Sequence, residues 1–324
     1  MKPIEISSLN KSYGNHQVLR NISFFFEKGK LVGFLGPNGA GKTTTIRILL
    51  GLISATSGTA TVFGNDVRTH GSRLRSRIGY LPGDVHLYPG MTGRRTLNFF
   101  ANARRLDCAS EIRRLAHVFQ LNLDKRVRSY STGMRQKLGL IQALMHRPEL
   151  LILDEPTSAL DPLIRQSVFS ELRKVVDDGR TVLFSSHSLN EVEELCDEVI
   201  ILRDGVIVEQ QRIEVLRQQA LRKVTIEFSS PVPDVLPDEL TATRITGASS
   251  TSAAAKTGQG TGSAKAHSPV APAEGNVVVG AWKGEMKTLI DWLSHHDVKD
   301  VIIERPDLND LFIAYYSGES GGAV

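Results

Sequence analysis

Apolar and polar positions change period along this chain, and the changes divide it. Up to about residue 30, short strand-like pieces (Ile4 and Ile6, Val18 and Leu19, Ile22 to Phe26) are separated by turn residues, with Tyr13-Gly14 in the first turn. Leu31 to Leu35 is a continuous apolar run of strand length, and Thr43 to Leu50 behind it reads as a helix. Thr59 to Phe63, a Gly64-Asn65-Asp66 turn and Ile78 to Leu81 continue the strand pattern. From about 92 to 147 the period becomes helical. Ile112, Leu115, Ala116 and Phe119 form one apolar stripe, and Arg104, Arg105, Arg113 and Arg114 read as the solvated face. Leu150 to Leu153 and Thr181 to Phe184 are short apolar runs typical of buried parallel strands. Val199 to Leu202, the turn Arg203-Asp204-Gly205 and Val206 to Val208 predict a hairpin. Strands alternating with helices on this scale predict an α/β doubly wound sheet.

Near residue 220 the character changes. Lys223 to Phe228 alternates as a half-buried strand. Gly247 to Gly275 is rich in Ser, Thr, Ala, Gly and Pro, a composition that cannot bury enough surface to offset its ordering entropy, so a disordered insertion is expected there. Val277 to Val279, a helix carrying Met286, Leu289, Ile290 and Leu293, a strand at Val298 to Ile303 and a last helix with Leu308, Leu311, Phe312 and Tyr315 predict a small α+β domain with a regulatory or docking role. The expected division is 1–220 and 221–324.

A chain of 324 residues with 41% apolar and 23% charged positions can bury a sizeable core across about two domains. No apolar run reaches the ~20 residues of a membrane span, and the start lacks a secretory h-region, so a cytosolic chain is expected. Cys108 and Cys196 have no metal spacing and suit reduced thiols. The net charge of +4 argues for no particular polyanionic partner.

Chemistry concentrates at Gly36-Pro37-Asn38-Gly39-Ala40-Gly41-Lys42-Thr43-Thr44, which fits the G-x-x-x-x-G-K-[ST] loop that wraps nucleoside triphosphate phosphates. A strand ahead and a helix behind place it where backbone N–H groups and a helix dipole converge on an anion. Lys42 supplies a point charge for the β- and γ-phosphates, and the Thr43 hydroxyl can ligate Mg²⁺. Leu150 to Leu153 ends in Asp154 and Glu155, beyond the carboxyl end of a strand, where ligands of open α/β sheets bind. There Asp154 can hold Mg²⁺, directly or through water, and Glu155 can polarise the attacking water. Ser131, in Tyr130-Ser131-Thr132-Gly133-Met134, is either a simple helix cap or, with Gly133, a second anion site. His187 lies just past another buried strand, where it is either structural or bonded to phosphate or water. Tyr13 is either an ordinary turn tyrosine or a base-stacking ring.

The order of these motifs, with Ser158-Ala159-Leu160-Asp161 among them, resembles the ATP-binding cassette (ABC) ATPase family over residues 1 to about 220. The resemblance implies a P-loop NTPase with a RecA-like core sheet, N-terminal antiparallel strands and a helical subdomain at about 90–147. Tyr13 then resembles the adenine-stacking aromatic, Gly36 to Thr44 the Walker A loop, and Asp154 and Glu155 the Walker B acid and catalytic base. Asp161 resembles the D-loop aspartate and His187 the switch histidine; Ser131 and Gly133 resemble the signature residues that meet ATP on the opposite subunit. Two cassettes sandwich two ATP molecules head to tail in this family, so a second copy of the chain is an implied partner, with ATP and Mg²⁺ as cofactors. Two departures stand out. Thr132 and Met134 occupy the third and fifth signature places, and Gly83 stands where the family usually has a metal-touching glutamine, with Asp84 next to it as a candidate replacement.

The single cassette, the Tyr-Ser-x-Gly-Met signature and the segment Asp307 to Phe312 are similar to ATPase subunits of ABC-2-type exporters. Such a subunit works at the cytoplasmic face of the cell membrane, energising a separate integral permease, and nucleic acid is not an expected partner. The alternative from another class is a soluble ABC ATPase acting mechanically on nucleic acid, ribosomes or cofactor assembly.

Overall fold

A computed structural model describes residues 2–219, 221–233, 235–246 and 276–304. The expected insertion at 247–275 and the last expected helix lie outside the described residues. Two compact units are present, one ending at Val215 and the other beginning at Leu216.

The first unit opens with a hairpin of β1 (Ile4–Tyr13) and β2 (His16–Phe26), followed by β3 (Leu31–Leu35), α1 (Lys42–Leu49), β4 (Ser57–Val62), β5 (Asn65–Asp66) and α2 (Val67–Leu74). Next come β6 (Ile78–Leu81), the helices α3 (Gly93–Arg104), α4 (Ala109–Val118) and α5 (Thr132–Leu144), then β7 (Leu150–Asp154) and α6 (Pro162–Asp177). It continues with β8 (Thr181–Ser186), α7 (Leu189–Leu195), β9 (Glu198–Arg203) and β10 (Val206–Arg212), and α8 (Ile213–Gln219) crosses the boundary.

The core sheet has the order β10-β9-β3-β8-β7-β6, parallel except for β10 at its edge. Strands β3, β7 and β8 are buried at every position, which is why their centres read as continuous apolar runs rather than alternating ones, with polar residues only at the ends of β7 and β8. Register brings the carboxyl ends level: Leu35 pairs with Ser186, Asp154 with Ser185, and Leu153 with Leu81. Whatever follows β3, β6, β7 and β8 therefore converges on one edge of the sheet. An antiparallel sheet of order β2-β1-β4-β5 shares a core with it, through Ile4, Phe24 and Phe26 against Val32, Phe34 and Ile46.

Three local expectations are corrected. The first two strands run for ten and eleven residues, because register shifts between Ile6 and Ser12 and a left-handed Ser8 break the alternation that would have announced their length. Tyr13 closes β1 ahead of the turn instead of sitting in it. The turn placed at Gly64-Asn65-Asp66 falls at Phe63-Gly64, while Asp66 caps α2 by accepting from the Arg68 N–H.

Two of the four supposedly solvated arginines are structural. Arg104 is half-buried and donates toward the carbonyls of Arg75, Ser76 and Ile78, at the start of β6. Arg114 on α4 makes a two-pronged contact with Glu171 on α6 (3.0 and 2.7 Å) and also reaches Glu111 at 2.7 Å. Burial pushes the Glu171 carboxyl up, but hydrogen bonds from Arg114 and Lys174 outweigh it and leave the group below the ordinary glutamate value. Its charge therefore stabilises the fold fully above the unfolded glutamate range, and that contribution is lost as pH falls through the depressed folded value. Glu171→Ala is expected to cost about 1–3 kcal/mol, short of a fully enclosed pair because Arg114 is 43% exposed. Urea denaturation at neutral pH and at pH 3 checks this, and the gap from wild type should narrow in acid.

The second unit is a four-stranded antiparallel sheet of β11 (Arg222–Phe228), β12 (Leu240–Thr246), β13 (Val277–Trp282) and β14 (Val298–Ile303), ordered β12-β13-β11-β14. Helix α9 (Met286–Ser294) packs Leu289 on Val224, Ile226, Phe228, Val278 and Trp282.

Candidate functional site

The loop 36–41 leaves β3 and enters α1 with its crown exposed at Pro37, Asn38 and Gly39, and its base buried at Gly36, Ala40 and Gly41. A side chain at Gly36 would overlap the Leu202 carbonyl, and Gly41 sits at φ +110°, a conformation L-residues avoid. The loop therefore needs glycine at both ends for different reasons. Val18 and Leu19 of β2 press on Gly41, so the first hairpin runs alongside the loop. Tyr13 stands at its tip, 48% exposed, with Lys11 Nζ 4.7 Å from the ring centroid.

Lys42, the first residue of α1, is only 6% exposed. Its ammonium donates to Gly36 O (2.5 Å) and toward Pro37 O (3.4 Å), and lies 3.3 Å from Glu155 Oε1. Thr43 Oγ1 donates to Asp154 Oδ2 at 2.7 Å, and Ser185 Oγ donates to Asp154 Oδ1 at 2.6 Å. Thr44 completes the loop motif in the first turn of the helix, half-buried. Asp154 is 1% exposed, and its charge adds to burial in pushing the Tyr80 phenol up to about 12.

Glu155 follows β7 at φ +50°, a strained backbone for a residue with a side chain. Three groups hold it there: its N–H donates to Ser185 Oγ, and its carbonyl accepts from Gln136 Nε2 and from Ser158 Oγ. The strain turns the carboxylate toward Lys42 on one oxygen and His187 on the other, the latter at 2.7 Å from Nδ1. An ionised carboxylate only accepts, so Nδ1 carries the hydrogen. The rest of the imidazole faces outward, 57% exposed.

Loop, acid pair and histidine thus meet at one place. Ser131, Gly133 and Asp161 do not join them directly. Ser131 caps α5 by accepting from the Met134 N–H, and Asp161 caps α6 by accepting from Ile164. Gly133 lies so close to Ala159 O that an added Cβ would stand 2.7 Å away. Among the described residues, no hydrogen bond links these three to the phosphate loop.

Gly83 abuts the Asp154 carboxylate, where a Cβ would stand 3.5 Å from Oδ2 in ordinary contact. Asp84 does not fill the gap. Its carboxylate is 88% exposed and lies 3.4 Å from His86 Nδ1, so the replacement role suggested by adjacency is set aside. Two residues that sequence reasoning passed over are structurally central: Ser185, which orients Asp154, and Gln136, a buried amide that donates to the carbonyls of Glu155 and Pro156. A polar residue on the otherwise apolar face of α5 was the signal for the second.

Comparison with known proteins agrees with this geometry. The family described as "ABC transporter" matches residues 19–158. The uncharacterized ABC transporter ATP-binding protein YxlF of Bacillus subtilis (strain 168) is 41% identical over 222 residues, covering 67% of this chain and 73% of the relative. The Nod factor export ATP-binding protein I of Ralstonia nicotianae is 34% identical over 246 residues, covering 74% of each chain. A solved ATP-binding subunit of an ABC transporter superposes with a TM-score of 0.62 at 30% identity, over 67% of this chain and 92% of that one. The chain belongs to the ATP-binding subunits of ABC transporters. It is an ABC-type ATPase, built as a P-loop NTPase cassette whose work is to energise a membrane permease.

Proposed function

We propose that this chain is the ATPase subunit of an ABC-2-type exporter, working as a head-to-tail pair with a second copy of itself and with a separate permease at the cytoplasmic face of the membrane. The single observation that carries the hydrolytic part is the line of contacts Lys42–Glu155–His187 beside Thr43–Asp154, at the carboxyl ends of adjacent strands. No helix among the described residues is long and apolar enough to cross a membrane. Both named relatives are transporter subunits, which leaves the soluble alternative without an observation behind it.

In this reading the N–H groups of Gly39 to Thr44 cradle the phosphates and Lys42 neutralises the γ-phosphate. Glu155 accepts a hydrogen bond, and then the proton, from the water that attacks the γ-phosphorus, while the β–γ bridging oxygen leaves with ADP. His187 holds the Glu155 carboxylate in position through Nδ1 and offers its exposed edge to phosphate. Tyr13 stacks on the base. Ser131, Gly133 and Asp161 serve the nucleotide across the dimer, in keeping with their having no hydrogen bond to their own phosphate loop among the described residues.

Thr43 and Asp154 form a hard-oxygen pair of the kind Mg²⁺ accepts and would hold the ion there. Mg²⁺ bound there would neutralise charge on the β- and γ-phosphates. Gly83 has no side chain to offer such an ion.

Affinity capture of the tagged Glu155→Gln chain from detergent-solubilised native membranes with ATP tests the assignment. A co-purifying multi-helix membrane protein is expected. Recovery only from the soluble fraction, with ribosomal or DNA partners, would overturn it.

A further inference from the structure

A second carboxylate lies behind the site, and nothing in the chemistry above uses it. Glu191 on α7 is 8% exposed. Its Oε2 accepts from Thr157 Oγ1 at 2.9 Å and from Ser186 Oγ at 2.9 Å, and its Oε1 lies 3.5 Å from Arg165 Nε. Both hydroxyl residues are themselves almost fully buried, and Ser186 Oγ accepts in turn from the Ser188 N–H, so its hydrogen is committed to the carboxylate.

The partners are distributed in a telling way. Thr157 lies two residues beyond Glu155, in the segment that leads to Asp161. Ser186 is the residue before His187. Arg165 lies one turn into α6, which Asp161 caps by accepting from the Ile164 N–H, and the Arg165 N–H donates to the Asp161 carbonyl. One buried carboxylate therefore hydrogen-bonds the two segments that present the base and the switch histidine, and its charge faces Arg165 of the helix that Asp161 caps, although Arg165 Nε makes no hydrogen bond. An apolar side chain would pack α7 against the sheet as well as Glu191 does, without the cost of desolvating a charge. Glu155 and His187 meet through a single 2.7 Å hydrogen bond between the ends of two different strands, so a small slip of either segment parts them.

We propose that Glu191 is a positioning residue for hydrolysis: it fixes Thr157 against Ser186 and thereby holds the Glu155–His187 pair in register, with Arg165 linking that register to Asp161. The inference rests on the catalytic reading of Glu155 and His187 given above. Its readout is a fall in kcat with nucleotide affinity preserved, because none of its contacts reaches the phosphate loop, and a misplacement of about 1 Å at a reacting group can cost ~100-fold.

Steady-state ATPase of the full-length chain tests this. Glu191→Leu is expected to lower kcat by about tenfold or more and leave KM for ATP within about twofold. Glu191→Gln, which can still accept both hydroxyls, should restore most of the turnover. In a His187→Ala background Glu191→Leu should cost little more, since the two act through one contact. Wild-type turnover of Glu191→Leu, or an undiminished loss in the His187→Ala background, would overturn the proposal. Should Glu191→Leu fail to fold, Thr157→Val and Ser186→Ala decide it: reduced kcat at constant KM supports the inference, and unchanged kcat ends it. Wild-type turnover of Glu155→Gln would instead remove the catalytic reading itself, a result distinct from failure of the Glu191 variants alone.

Discussion

Glu155→Gln is expected to bind ATP with near-normal affinity, accumulate as an ATP-bound dimer and hydrolyse it roughly 10²–10⁴-fold more slowly, the range typical of losing a general base. The amide keeps the size of the carboxylate, and its oxygen can still accept from His187 Nδ1. The strained φ of +50° is set by Ser185, Gln136 and Ser158 acting on the backbone, so the substitution leaves the local geometry in place. What is lost is the charge that draws a proton from water. Single-turnover hydrolysis and size-exclusion chromatography with ATP separate the two effects, and turnover close to wild type would show that another group is the base.

Lys42→Ala should act at the opposite step, abolishing useful nucleotide binding. Charge-assisted hydrogen bonds contribute about 1.5–3 kcal/mol each, so losing two of them to phosphate lowers affinity by roughly 10²-fold or more. The ammonium is nearly enclosed by the loop it closes, through Gly36 O and Pro37 O, and no other cation is shown against Glu155 Oε1 among the described residues. Lys42→Arg should fail to restore binding, because a planar fork does not replace a compact charge in a buried seat. Calorimetric titration with ATP measures both variants; Lys42→Ala binding within threefold of wild type would contradict the assignment.

What the chain disclosed in advance followed from locality. Leu31 to Leu35, the glycine-bracketed loop and Thr43 onward are contiguous, and strand–loop–helix is a pattern that spacing alone can carry. Asp154, Glu155 and His187 were legible because each lies within three residues of the end of a short apolar run. Ser185, Gln136 and Glu191 were not, since a hydroxyl, an amide and one glutamate among several acquire meaning only when β7, β8, α5 and α7 pack together. Arg104 and Arg114 misled for the same reason, as the partners that tie them into the fold lie 26 to 57 residues away, Glu111 being a local one. Helix α2 escaped notice because Val67 and Leu74 are its only large apolar residues, and its start is specified mainly by the Asp66 cap.

The Gln136 amide has a consequence for timing. Its helix begins with Ser131 and Gly133, the residues assigned to a neighbour's nucleotide, while its side chain grips the carbonyls of Glu155 and Pro156 in its own hydrolytic strand. Ser131 and Gln136 lie little more than one turn apart on α5, so a shift of the helix start carries directly to the Glu155 carbonyl. If two such chains work head to tail as proposed, loss of one spent nucleotide would act on the backbone that holds the base serving the other, and the two sites would fire in turn and not independently.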